Sequence, residues 1–153
     1  MQDILLLQNN PQNYPITQNT FPEQKRPIVL IAEGDDVHRA ELKMLLDLYD
    51  IGVLEAENGE ETIDLMVREC PDLVLINVEL PKLDGYEVVR LIRNIKSFDS
   101  MPIIFHSNET ERAFRKRAFA VGGNGFHIAP LDIDRLDPIL ENFLFRAINT
   151  AKI

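Results

Sequence analysis

From Pro27 onward the chain alternates short, unbroken apolar runs with longer stretches whose apolar residues recur at helical spacing, and no other feature restricts the fold as tightly. Val29-Leu30-Ile31-Ala32, Leu73-Val74-Leu75-Ile76 and Ile103-Ile104-Phe105 are continuous, as expected of parallel strands with helices covering both faces. Gly52 to Ala56 and Gly125 to Ile128 read as two further strands. Between the runs, Leu42, Leu45, Leu46 and Tyr49 repeat at i, i+3, i+4 and i+7. So do Ile63, Met66, Val67 and Cys70, and again Val88, Leu91, Ile92 and Ile95; each set predicts one buried helical stripe. A fourth helix is expected from Glu109 to Val121 with Phe114, Ala118 and Val121 inward. A fifth is expected from Asp132 to Ile148 with Ile133, Leu136, Leu140 and Phe143 inward, Pro138 being tolerated at a start or a kink. Asn58 followed by Glu61 predicts an N-cap with a capping box rather than a hairpin at Asn58-Gly59. Five strand-then-helix repeats with right-handed crossovers give an α/β parallel sheet, whose functional crevice lies at the carboxyl ends of the strands.

Composition narrows the function. The 153 residues suit one domain, and 45% apolar with 27% charged residues is globular rather than disordered. No tract approaches the roughly 18 apolar residues of a spanning helix. The cluster Ile4-Leu5-Leu6-Leu7 has neither a basic leader nor a cleavage site, so a cytoplasmic protein away from membranes is expected. A formal charge of −9 argues against broad nucleic-acid binding. With Cys70 as the lone cysteine, neither an internal disulfide nor a cysteine zinc site can form. Residues 1–26 are amide-rich, carry Pro11, Pro15 and Pro22, and read as a flexible arm. Asp3 and Glu23 balance Lys25 and Arg26 there, so the acidity belongs to a domain expected over 27–148, with 149–153 as a tail.

The strand-end rule directs attention to Glu33-Gly34-Asp35-Asp36, Asn77, Ser107-Asn108 and Ala129-Pro130, which follow the first, third, fourth and fifth apolar runs. The stretch Pro71-Asp72-Leu73-Val74-Leu75-Ile76-Asn77-Val78-Glu79-Leu80-Pro81-Lys82-Leu83-Asp84-Gly85-Tyr86-Glu87-Val88 resembles the segment around the phosphorylated aspartate of response-regulator receiver domains. Glu55-Ala56-Glu57-Asn58-Gly59-Glu60-Glu61 is similar to that family's second strand and helix start, and the resemblance runs over nearly all of Pro27 to Leu144. It implies a flavodoxin-like (βα)5 fold with strand order 2-1-3-4-5. It also implies a site in which two acids hold Mg²⁺, an aspartate accepts phosphate, a Ser or Thr follows the fourth strand and a Lys follows the fifth.

Position by position, the resemblance places Asn77 at the phosphoacceptor, Ser107 at the hydroxyl, Phe126 at the switch aromatic and Ala129 at the lysine. Glu33 stands at the first acid and Gly34 at the second. A neutral amide cannot become an aspartyl phosphate, and one acid is a poor set for a hard cation, so the expectation is no cofactor and little or no Mg²⁺ binding. An aspartate beside Glu33 without Lys or metal would face an unscreened like charge, so the three losses are coherent. The expected function is that of a non-enzymatic pseudo-receiver, a phosphorylation-independent interaction module in two-component or phosphorelay signalling. Two alternatives stand beside it: a receiver phosphorylated on a non-standard residue such as Glu79 or Asp84, and a small-molecule binder in the flavodoxin manner. Against the second, Glu33, Asp35 and Asp36 repel phosphate, and Gly122-Gly123-Asn124-Gly125 reads as a helix end and turn.

Plainer readings accompany several residues. Glu33 is either a solvated loop acid or a residual metal ligand; Asp35 and Asp36 read as helix caps, and Cys70 as a small buried apolar residue. His38, His106 and His127 lack ligand spacing. Arg112, Arg115, Lys116 and Arg117 form a positive run that is either a solvated face or a dock for an acidic surface. A copy's Asp132, Asp134 or Asp137 is one such surface, giving a homodimer through the face made by the fourth helix, fifth strand and fifth helix. Ile139, Phe145 and Ile148 exceed what one amphipathic helix needs to bury and are expected at an interface. With no output domain before Ile153, any signal is expected to leave by protein contact, to a histidine kinase or an output protein.

Overall fold

The computed structural model describes residues 25–146, so the predicted arm up to Gln24, Ile148 and the predicted tail lie outside the described residues. Strands β1 (Ile28–Ala32), β2 (Gly52–Ala56), β3 (Leu73–Asn77), β4 (Ile103–Ser107) and β5 (Gly125–Ile128) form one parallel sheet in the order β2-β1-β3-β4-β5. Helices α1 (Asp36–Leu46), α2 (Gly59–Glu69), α3 (Gly85–Arg93), α4 (Arg112–Ala120) and α5 (Ile133–Leu140) alternate with the strands, and α5 runs on into a π turn over Glu141–Phe145. This is the flavodoxin-like (βα)5 arrangement expected from the sequence.

Strand alternation splits the core into two layers. Leu30, Ala32, Val74, Ile76, Ile103, Phe105 and Phe126 face α2, α3 and Ala118 of α4. Val29, Ile31, Leu73, Leu75 and Ile104 face α1 and α5. All five residues of β3 and of β4 are buried, which accounts for their unbroken apolar runs.

The caps follow the expected chemistry with small changes. Asp35 caps α1 by accepting the Val37 and His38 amides; Asp36 is not a cap but pairs with Arg39 at 2.6 Å. Asn58 caps α2, while Glu61 Oε2 accepts from the amide of Glu57, one residue earlier than a strict capping box. Arg26, assigned to the arm, is fastened to the domain through Asp50 (3.1 Å) and the Ile51 carbonyl (2.9 Å).

Several predicted positions need correction. The α2 stripe is Thr62, Leu65 and Met66, with Val67 51% exposed and Cys70 an exposed, left-handed residue closing the helix. In α3 the buried set is Tyr86, Val88, Val89 and Ile92, whereas Leu91 and Ile95 face outward. The fourth helix starts at Arg112 rather than Glu109, because the Glu109 amide is held by Ser107 Oγ at 3.1 Å. Pro138 lies inside α5, on an exposed flank, and neither starts it nor stops it. Ile133, expected inward, is exposed.

Candidate functional site

Glu33 leaves β1 at its carboxyl end and is only 3% exposed. Its amide continues the ladder to the Ala56 carbonyl at 3.0 Å, and its carbonyl accepts from Arg39 Nη1 at 2.9 Å. The backbone is therefore fixed from both sides, and the side chain is directed across the sheet. Asn77, at the end of β3, donates from Nδ2 to both carboxylate oxygens of Glu33, at 2.9 and 3.0 Å. Asn77 Oδ1 accepts the Glu79 amide at 2.9 Å. These partners fix the orientation of the amide: only its nitrogen can face a carboxylate and only its oxygen can face an N–H.

The surroundings leave little room for other groups. Gly85 opens α3 directly against this strand end, where a Cβ would lie 2.4 Å from the Asn77 carbonyl oxygen, so no larger residue fits without moving the helix. A Cβ at Gly34 would lie 2.9 Å from Pro81 Cδ and 3.4 Å from the Glu57 carbonyl. On the other side of Glu33, Ala32 is a fully buried methyl in the core. Neither neighbour of Glu33 supplies a second acid. Ser107 is fully buried with its hydroxyl oxygen on the Glu109 amide. Ala129 donates its amide to the Ser107 carbonyl at 2.8 Å and is followed by a cis peptide to Pro130. Phe126, the predicted switch aromatic, is buried in the core with Phe105 and Ala118.

The structure thus gathers Glu33, Asn77, Ser107 and Ala129 at the strand ends, with Glu33 and Asn77 in direct contact. It also brings in a residue that no sequence motif singles out. His106 pairs in register with Asn77, faces the α1 side, and is 4% exposed. Burial, reinforced by repulsion from His38 and His127, pushes its pKa down to about 4. Its Nε2 is a buried atom without a hydrogen-bond partner among the described residues.

The second predicted surface is only partly as expected. Arg112, Arg115, Lys116 and Arg117 are all exposed on α4, and no ion pair among the described residues involves them. Two have other contacts: Arg117 stacks 4.4 Å over the Tyr86 ring, and Arg115 lies 5.6 Å over Phe119 with Nη1 3.4 Å from the Phe126 carbonyl. Ile139 does not belong to a surface at all; at 3% exposure it is core, packed with Leu136 and Leu140 against α1 and the sheet. Phe145 is half-buried, its ring 6.1 Å from that of Tyr49. In their place Phe119, Ile128 and Ile133 supply exposed apolar area beside Arg115 and Arg135, a set that crosses three elements and so leaves no linear signal. Asp132 caps α5, and Asp137 accepts the Tyr49 hydroxyl at 2.7 Å; burial, together with this contact, pushes that hydroxyl up to about 12.

Comparison with known proteins agrees with this architecture. Residues 29–141 match the response regulator receiver domain family. Response regulator Rre1 of Synechocystis sp. is 30% identical over 122 residues, 78% of this chain and 53% of that protein. The sensor histidine kinase CheAY of Helicobacter pylori is 27% identical over 116 residues, 74% of this chain and 14% of that protein. The chain therefore spans about half, or less, of the length of these curated relatives. A two-component response regulator from Clostridium difficile superposes with a TM-score of 0.73 at 27% identity, covering 80% of this chain and 98% of that one. The chemotaxis response regulator CheY4 of Vibrio cholerae shares the fold, with a TM-score of 0.73 at 22% identity over 78% of this chain and all of that one. By fold, strand-end geometry and sequence together, the chain belongs to the response regulator receiver domain family of two-component signalling.

Proposed function

We propose that this receiver domain is a pseudo-receiver, working without phosphorylation as a non-enzymatic, cytoplasmic protein-interaction module in a two-component or phosphorelay pathway. The observation that carries the reading is the Asn77 amide set between Glu33 and the Glu79 amide. Both oxygens of the Glu33 carboxylate accept from that amide, which ties the end of β1 to the end of β3. A hard divalent cation wants several anionic oxygens, and Glu33 with Ala32, Gly34 and Asn77 around it is a poor set, so Mg²⁺ is not required. With no attacking carboxylate at position 77 and no lysine at 129, a phosphoryl group has neither an acceptor nor a counter-charge.

Partners meet the domain through α4, β5 and α5. Four cations that form no ion pair among the described residues, beside exposed Phe119, Ile128 and Ile133, fit an acidic protein surface with an apolar centre, such as a histidine kinase or output protein. A homodimer through the same face is the lesser reading, because two of the three acids that would serve it, Asp132 and Asp137, are already engaged within the chain. The test is labelling with radioactive acetyl phosphate, alongside beryllofluoride and Mg²⁺ titration followed by NMR. The expected result is no labelled protein and no Mg²⁺-dependent shift at Ser107. Label retained on Glu79 or Asp84 would replace this reading with phosphotransfer to a non-standard residue.

A further inference from the structure

Beneath the amino ends of β3 and β4, at the edge of the sheet away from Glu33 and Asn77, lies a hollow of about 440 Å³ walled by Cys70, Pro71, Phe98, Met101, Phe143 and Leu144 among others. That volume falls in the range of small-molecule sites and has room for several aliphatic side chains. The walls come from both layers of the core: Phe98 and Met101 pack with the α2 and α3 layer, Phe143 and Leu144 with the α1 and α5 layer. Polar groups around it are already engaged. The Asp72 carboxylate accepts the Ile28 amide at 2.7 Å, Val74 donates to the Pro102 carbonyl at 3.0 Å, and Ile103 donates to Asn124 Oδ1 at 2.8 Å. Among the described residues no lysine, arginine or histidine lines the hollow. What it offers an occupant is apolar contact.

The chain itself carries a matching segment, and brings it in at this edge. Ile28 is bonded through its amide and its carbonyl, at 2.7 and 2.8 Å, to Asp72, which is part of the wall. The residues before Lys25 therefore join the domain beside the hollow, and they include Ile4-Leu5-Leu6-Leu7, an unbroken uncharged apolar run. As a coil, the intervening residues 8–24 span roughly 20 Å, against a spacing of about 5 Å between neighbouring strands. The tether also holds the run near the hollow at an effective concentration on the order of millimolar. The other end of the chain matches less well, since Ile148 and Ile153 are separated by Asn149, Thr150, Ala151 and Lys152. A second copy would bring another net charge of −9 with it. We propose that Ile4 to Leu7 dock in this hollow within the same chain, packing on Phe98, Met101 and Phe143 beside the Cys70 thiol. This contact lies at the opposite edge of the sheet from position 77 and does not depend on whether the domain is phosphorylated.

The test uses the full ¹⁵N-labelled chain with Cys70→Ser and a nitroxide on Gln2→Cys. Amide signals of Ser97, Met101 and Phe143 should lose most of their intensity to the spin label, while those of Asn77 and Ser107 keep theirs. Leu5→Asp with Leu6→Asp, which alters nothing in the described fold, should restore the lost intensity. In chains that keep Cys70, the same pair of substitutions should speed reaction of the thiol with a disulfide reagent by about fivefold, as expected if the run is seated about four-fifths of the time. Broadening that is absent, that spreads evenly over the domain, or that survives the aspartates overturns the proposal, as do equal thiol rates. Broadening that also appears when the nitroxide is carried only by chains without ¹⁵N, mixed with ¹⁵N chains that lack it, assigns the hollow to the run of a second copy and overturns docking within one chain.

Discussion

An aspartate at position 77 would set a carboxylate oxygen about 3 Å from those of Glu33, where Asn77 now donates. With alanine rather than lysine at position 129, Asn77→Asp alone should lose about 2–4 kcal/mol at neutral pH. The repulsion raises the folded-state pKa of the introduced carboxyl above its unfolded value. The penalty is therefore absent below about pH 4 and grows as pH rises through that raised value. Urea unfolding across pH should show the variant matching the parent in acid and falling behind above it. Adding Glu33→Gln should restore most of the loss, and a double variant no better than Asn77→Asp would exclude the like-charge cause. His106 gives stability its own, opposite dependence. Its pKa of about 4 lies below the unfolded value of about 6.5, so the unfolded chain takes up the proton first as pH falls. Stability should decline between those two values by about 3 kcal/mol, and His106→Phe should remove that share. Equal pH slopes in parent and variant would mean that His106 does not carry it.

At the level of the elements, strands are legible because burial on both faces leaves a continuous apolar run, a pattern without phase to misjudge. Helices carry a phase, and in two of them the buried stripe is slightly rotated from the one that spacing predicts. Thr62 looks polar on paper, yet it is core in α2 because its hydroxyl donates to the Asn58 carbonyl at 2.7 Å and needs no solvent. Val67, Leu91 and Ile95 fit an apolar spacing but lie on the open flank, since sequence periodicity does not show where the neighbouring helix ends. Arg93 leaves no sequence signal for a related reason: its role depends on turns that meet only in space. It donates to the carbonyls of Phe98, Met101 (2.8 Å) and Gly122 (3.0 Å) and to Asn124 Oδ1 (2.9 Å), tying the end of α3 to the approaches of β4 and β5. Lysine has no fork to reproduce this, so Arg93→Lys should cost about 2–3 kcal/mol. Hydrogen exchange should speed up first at the Ile103 amide, which shares Asn124 Oδ1 with Arg93. Uniform loss of protection across the sheet would show that Arg93 is no local fastening. The site is legible through the strand-end rule, whereas the burial of His106 at the end of β4 leaves no signal in its own stretch of sequence.

Across the whole molecule, charge is divided unevenly. Among the described residues Arg26, Arg39, Lys43, Arg68, Lys82 and Arg90 form ion pairs with acids, while the cations of α4 form none, on a chain whose net charge is −9. The net charge of −9 sets whole copies against one another, while the positive helix attracts a foreign acidic surface, and that attraction must fade as salt shortens the screening length from about 10 Å at 0.1 M toward 3 Å at 1 M. Poly-glutamate serves as a probe of that surface. Fluorescence anisotropy should find it bound by the parent chain at low salt, with affinity falling steadily as salt rises. The pair Arg115→Glu and Lys116→Glu should weaken binding at least about tenfold, or about 1.4 kcal/mol, while the unfolding midpoint falls only slightly, through the lost Arg115 contacts with Phe119 and the Phe126 carbonyl. Sedimentation of the parent at low salt should give a monomer; a dimer abolished by the same reversal would assign the face to self-association instead. Unchanged poly-glutamate binding in the reversed variant would leave α4 as a solvated face with no partner of its own.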